Sequence, residues 1–426
     1  METNKYIAAI DLGSTKITGA LARKTEDGSI EILAVKSVAS KQIRYGEIKN
    51  VDETTKQIKT IVERLNNHQD LQENGLKINT VYTALGGRSL DTAVHTVKRL
   101  LGKEDKITEE LLAEMKKENR NLKFGENEIF GVFEQEFLVD DEKEHAPLGM
   151  NCSNLQGRYA IIHGDSRLKY NLDRVRFNLE SLGINLIYDQ FASVAAARAA
   201  LTGEDIEKGC AFIDFGAETT SLCVFMRGYF RLLYVFNKLT GKMITDDLFK
   251  NLNLTEEDAE KLKINFGNAL AQLEESRNVF IPSHSSVEPL DTAYIAKMIE
   301  FQIDKILSCV SKEISDAGLS NYLGAGFVIA GGASKLRNLE QKIELATGRS
   351  TRRAKFDKID NAVIWGLLKT AKEDCTEAVK KEIPQPEPEP IKMEDKEGLF
   401  QKVINWGNRL KDKANKIELS ETLFKE

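Results

Sequence analysis

Cysteine is scarce in this 426-residue chain, and the five present (Cys152, Cys210, Cys223, Cys309, Cys375) are odd in number, far apart and free of any C-x-x-C pair. That spacing excludes a disulfide framework and a cysteine zinc site, and it points to a reducing, cytosolic setting. Long apolar runs are missing too: no uninterrupted stretch approaches the roughly 18 residues a spanning helix requires, so any membrane contact is expected to be peripheral. The opening Met1-Glu2-Thr3-Asn4-Lys5-Tyr6 has neither the basic start nor the apolar core of a signal peptide, and export by that route is not expected. Charge of one sign is also lacking. A net charge of −6 gives no overall basic field to gather nucleic acid, which is therefore not expected as a partner.

What remains is ordinary globular composition, 41% hydrophobic and 30% charged. At roughly 100–200 residues per domain the length suggests two to four domains. Proline is rare, and four of the seven fall in Pro384-Gln385-Pro386-Glu387-Pro388-Glu389-Pro390. Alternating Pro with Gln or Glu removes backbone donors and favours extended polyproline II, so residues 376–397 read as a semi-rigid spacer. The body lies before it and an appendage after it.

Within the body a pattern occurs twice. Ile7-Ala8-Ala9-Ile10-Asp11-Leu12-Gly13-Ser14-Thr15-Lys16-Ile17-Thr18 and Phe212-Ile213-Asp214-Phe215-Gly216-Ala217-Glu218-Thr219-Thr220-Ser221 each read as an apolar strand, Asp-x-Gly, a small polar turn and a second strand. Either alone fits a plain sheet hairpin; the two together suggest related halves whose turns face a shared cleft. A third signal, Phe327-Val328-Ile329-Ala330-Gly331-Gly332-Ala333-Ser334, is a buried-type strand ending in Gly-Gly, before a helix-like segment at 336–346. Such a turn lets backbone approach a ligand closely, although a lone Gly-Gly is more often a simple strand-to-helix connection. Helical spacing occurs at 107–119, 167–180, 190–201, 255–264 and 292–314, and strand-like spacing at 129–139.

A nucleoside triphosphate needs backbone amides around its phosphates, a cation near the terminal charges and carboxylates to hold the metal's water shell. The first hairpin offers Gly13, Ser14 and Thr15 amides and hydroxyls, Lys16 for a phosphate and Asp11 for hydrated Mg²⁺; Asp214, Gly216 and Thr219 mirror it. This ordered set of motifs resembles the actin, sugar kinase and Hsp70 superfamily, which clamps ATP between two lobes. On that resemblance Gly331, Gly332 and Ala333 form the adenosine loop.

A closer resemblance, to the bacterial division family FtsA, rests on Ile10–Lys16, on Val81-Tyr82-Thr83-Ala84-Leu85-Gly86-Gly87, on Pro147-Leu148-Gly149-Met150 and on Gly331–Ser334. It implies an α/β, actin-like two-lobed ATPase fold with an inserted 1C-type (SHS2) subdomain and a C-terminal amphipathic helix. The implied parts are 1A at 1–87 and 158–203, 1C at 88–157, 2A at 204–241 and 316–375, and 2B at 242–315, then the linker at 376–397, the helix at 398–417 and a tail at 418–426. Carried over by motif, Gly241 with Thr245 and Asp247 opens 2B, and Glu260 and Lys263 match a Glu-x-x-Lys used on the nucleoside; the same pair also fits a surface i, i+3 contact on a helix. The resemblance implies ATP and Mg²⁺ as ligands, self-assembly into filaments, the FtsZ tail as a partner of 2B, later division proteins as partners of 1C, and a peripheral location on the cytoplasmic face of the inner membrane at the division site. Ala217 and Glu218 depart from the family's Asp-x-Gly-Gly-Gly. A carboxylate beside phosphates is unfavourable unless it turns away or helps hold a metal, and no His or Gln stands out to position water. Nucleotide binding is therefore the firmer expectation, with at most weak hydrolysis.

In the appendage, a helical wheel places Leu399, Phe400, Val403, Ile404, Trp406 and Leu410 within an arc of roughly 160°. Lys402 and Arg409 lie opposite, and five basic residues face one acidic across 398–417. Aromatic and aliphatic residues flanked by cations suit insertion at anionic headgroups, while an ordinary helix docking on protein is the commoner use of such a pattern. Six large side chains, each half buried, supply about 6–9 kcal/mol gross, much of it offset by ordering. One anchor is then reversible, and a row of them binds by avidity. The rival functions are a small-molecule kinase of the same superfamily and another actin-like scaffold of the PilM type.

Overall fold

The computed structural model describes residues 5–102, 105–281, 289–379 and 404–405. The first hairpin forms as expected: Lys5–Leu12 pairs antiparallel with Lys16–Lys24, Asp11 opposite Thr18. Ile30–Ala39 extends it on one side, and Thr80–Tyr82 and Asn185–Ile187 add in parallel on the other. Near-continuous burial from Tyr6 to Ile10 reflects a strand covered on both faces. Helix Val51–Asn66 lies against this sheet. It starts at Asn50, whose side chain accepts from the Glu53 N–H, and buries Ile58, Ile61, Val62 and Leu65 at helical spacing. Gly19 makes room for it: a Cβ there would lie 2.3 Å from Ile61.

The second half repeats the plan strand for strand. Cys210–Phe215, Thr220–Met226 and Tyr229–Phe236 form an antiparallel run, and Gly326–Ala330 and Thr351–Arg353 continue in parallel beyond the first of them. Helices Gly241–Asn251, Glu256–Phe266 and Thr292–Asp316 share its core, with Ile244, Leu262, Ile299 and Ile306 buried. The equal strand order in the two sheets is the structural counterpart of the sequence echo.

Between the halves of the first sheet, Asp91–Leu100, Asn127–Val139, Glu142–Glu144 and Asn154–Asp165 form a separate four-stranded sheet. Helix Glu109–Glu118 covers it over a small core of its own that includes Val97, Met115, Phe137 and Tyr159. The last strand runs straight across residue 157, where the sequence reading places a boundary. It pairs with Asp91–Leu100 as far as His163, so the sheet's ladder continues into the body. Thr92 bonds to Leu233 in both directions (3.0 and 2.9 Å), and Gln135 donates to the Arg231 carbonyl at 2.9 Å, fixing this sheet to the second half. The body closes as one unit at Ala378. Of the amphipathic segment, Leu399, Phe400, Lys402, Val403, Trp406, Arg409 and Leu410 lie outside the described residues; Ile404 and Asn405 are helical and exposed.

Candidate functional site

The turns of the two hairpins meet. With the Gly331-Gly332 turn they line one cavity of about 330 Å³, bordered by Asp11, Gly13, Ser14, Thr15, Lys16, Asp214, Gly216, Thr219, Gly331 and Gly332. Each sits where a strand ends and its ladder stops. Among the described residues the amides of Gly13, Ser14 and Thr15, and of Ala217, Glu218 and Thr219, have no protein acceptor. Amides left open in two facing turns suit an anion. Gly331 has φ +88, and a Cβ there would stand 2.3 Å from an Asp214 carboxylate oxygen and 2.5 Å from the Phe215 carbonyl.

The site's carboxylates share one field. Burial, opposed by the Asn361 hydrogen bond and by Lys16, raises the pKa of Asp11, and Asn361 Nδ2 donates to Asp11 at 2.8 Å. Asp214 is pushed up to about 7, first by burial and then by Asp11 and Asp360. Two carboxylates that resist ionising together make a place for a cation. Among the described residues no group of three or more His, Cys, Asp or Glu is arranged to hold a metal.

Glu218 lies on the cavity wall with its carboxylate already engaged. Its side chain is buried, accepts from the Tyr45 N–H at 2.8 Å and pairs with Arg44 at 2.7 Å, joining the second hairpin to the short Ile43–Ile48 hairpin of the first half. The charge that is unfavourable beside phosphates is thus committed to a contact across the cleft.

Four expected positions fall behind the wall. Gly241, Glu260, Lys263 and Ala333 do not line the cavity. Gly241 opens its helix with its N–H on the Gly216 carbonyl, 3.0 Å, directly under the second turn. Lys263 is buried and bonded to the Gly241 carbonyl (3.0 Å), Thr245 Oγ1 (2.9 Å) and Glu260 (2.7 Å), and Thr245 also donates to Glu260. Lys263 and Glu260 are neither a free surface pair nor lining residues; they brace the helix start that supports the second turn. Ala333 packs near Gly241. Sequence reasoning missed Asn361, Asp360, Lys335, Ser193 and Glu47, all on the cavity wall. Asn361 carries a legible signal, since its side chain caps helix Ala362–Thr370 by accepting from Ile364 N–H, but its reach to Asp11 is purely tertiary.

Comparison with known proteins agrees with this architecture. The family model described as Cell division protein FtsA matches residues 211–366. A Cell division protein FtsA of Porphyromonas gingivalis is 28% identical over 396 residues, covering 88% of this chain and 80% of that protein. That of Escherichia coli K12 is 23% identical over 347 residues, covering 79% and 80%. Among solved structures, the PilM–PilN type IV pilus biogenesis complex gives a TM-score of 0.58 at 15% identity, covering 85% of this chain and 97% of that one. MreB 5 of Spiroplasma citri bound to AMPPNP gives 0.50 at 14%, covering 86% and 95%.

Twin sheets of equal strand order around a three-turn cleft, with these structural neighbours, define a protein of the actin-like fold. Within that class, the chain is similar to the FtsA family of cell division proteins.

Proposed function

We propose that this protein is a cell division adaptor of the FtsA type that binds ATP with Mg²⁺ in the cleft, polymerises, and tethers FtsZ filaments to the cytoplasmic face of the membrane, helping to recruit later division proteins. The observation that carries the nucleotide reading is the convergence of three turns, with open amides, on a pair of carboxylates that favour a nearby cation. Gly13–Thr15 and Gly216–Thr219 would hold phosphates, Lys16 would neutralise one, and Asp11 and Asp214 would hold the waters of Mg²⁺. When bound, the ion supplies charge neutralisation of the phosphates and removes the repulsion between Asp11 and Asp214.

The membrane part rests on the sequence of residues 398–417, and FtsZ and the later division proteins rest on the similarity to the FtsA family. No helix among the described residues is long and apolar enough to cross a membrane, so attachment is assigned to the amphipathic segment. Weak single anchors make filament assembly and membrane binding mutually reinforcing. Electron microscopy on anionic lipid monolayers with ATP tests this. The full chain should form membrane-bound filaments, and a chain ending before residue 398 should not bind; lipid binding by the shortened chain overturns the anchor. Lys16→Ala should weaken fluorescent-ATP binding. Rapid phosphorylation of a small polyol or carboxylate would establish the kinase reading instead.

A further inference from the structure

A second cavity, of about 580 Å³, lies where the four-stranded sheet meets the second half, and it shares no lining residue with the nucleotide cleft. That volume is in the range of small-molecule sites, roughly 300–1,000 Å³. Its wall contains Arg231, which is only 6% exposed. Among the described residues the Arg231 guanidinium makes no hydrogen bond or ion pair, and its Nε is buried without a partner. Its one aromatic contact is Tyr229, 5.6 Å from the ring centroid. An uncompensated buried charge costs several kcal/mol.

Two more arginines line the same cavity. Arg158 comes from the four-stranded sheet and Arg227 from the turn after Thr220–Met226; neither has an ion pair among the described residues. The carboxylate that acts on Arg231, Glu136, is paired with Lys143 at 2.7 Å. Basic groups predominate around Arg231 and acidic ones around Glu313. The charges acting on Arg231 come from Glu136, Arg158, Arg227 and Tyr229, whereas those acting on Glu313 come from Lys312, Asp91 and Asp316. The arginine end, where Glu136 is held by Lys143, is net cationic, and the other end carries Asp91 and Glu313, with Asp316 held by Lys312.

We propose that this cavity is a second ligand site, for a small phosphomonoester whose phosphate sits on Arg158, Arg227 and Arg231 and whose remainder is neutral or cationic and faces Asp91 and Glu313. Guanidinium forks match the oxygens of a tetrahedral phosphate in pairs, and three unpaired arginines exceed what the two oxygens of one carboxylate engage. The acidic end disfavours a second anionic group, which excludes polyphosphates and nucleic acid.

Calorimetric titration of the full chain at constant ionic strength tests the site with O-phosphoethanolamine, pyrophosphate and β-alanine. Phosphoethanolamine should bind saturably and more tightly than either other probe. Arg158→Gln and Arg227→Gln, both at exposed positions, should raise its Kd at least tenfold while leaving fluorescent-ATP binding unchanged. Arg231→Met should abolish the response, and Lys16→Ala should preserve it. The proposal is overturned by absence of saturable binding, by stronger binding of pyrophosphate or β-alanine, by an unchanged Kd in the two exposed-arginine variants, or by loss of the response in Lys16→Ala.

Discussion

Replacing Lys263 by Met removes an ammonium that is buried and bonded at 3.0, 2.9 and 2.7 Å to the Gly241 carbonyl, Thr245 and Glu260. Methionine keeps much of the stem's volume, so the change acts mainly on polar contacts. Hydrogen bonds to a charged group contribute about 1.5–3 kcal/mol each. The Glu260 side chain is 45% exposed, so its share is screened and small, and Thr245 keeps its bond to Glu260. Relief from desolvating the ammonium offsets part of the rest. The expected net loss is about 2–4 kcal/mol, read as a lower urea midpoint at unchanged m-value. Because Gly241 carries the second turn through its bond to Gly216, ATP affinity should also fall, and it should recover in stabilising osmolyte. A variant with nucleotide-free stability within about 0.5 kcal/mol of the parent but much weaker ATP binding would refute the bracing role. It would make Lys263 a direct nucleoside contact.

Asp214 gives a pH signature. Its folded pKa, about 7, lies above the unfolded value near 3.9. The folded state therefore retains a proton that the unfolded chain releases, and stability from this group falls as pH rises from about 4 to 7, by up to about 1.4 kcal/mol per unit. Asp214→Asn should lack that slope, so urea unfolding of the nucleotide-free pair should diverge across this window; parallel curves would contradict the assignment. Glu218→Gln should cost about 1–3 kcal/mol through the weakened bond to Tyr45 N–H, whereas Arg44→Ala, at a 44% exposed side chain, should cost under about 1 kcal/mol; an equal loss in both by chemical denaturation would place the energy in the ion pair instead. Gly331→Ala forces a Cβ within 2.3 Å of Asp214 and should abolish fluorescent-ATP binding while circular dichroism remains near native; retained affinity would remove this turn from the site.

The sequence alone determined the repeating units and their turns. Strand periodicity around Ile7–Ile10 and Phe212–Phe215, ended by Asp-x-Gly, is local information, because burial on both faces and the need for a tight turn act over a few residues. The helices at Arg167–Glu180 and Thr292–Asp316 were legible for the same reason. Tertiary structure decided what those turns face. It placed Asn361 on Asp11 and Glu218 on Arg44 and Tyr45, and it bonded Glu260 and Lys263 to Thr245 and the start of the Gly241 helix. Each of those outcomes depends on the direction of a side chain between segments remote in the chain, which periodicity does not encode. The second cavity is the extreme case: Arg158, Arg227 and Arg231 are ordinary surface-type residues in sequence, and only the packing of the four-stranded sheet on the second half buries one of them without a partner among the described residues.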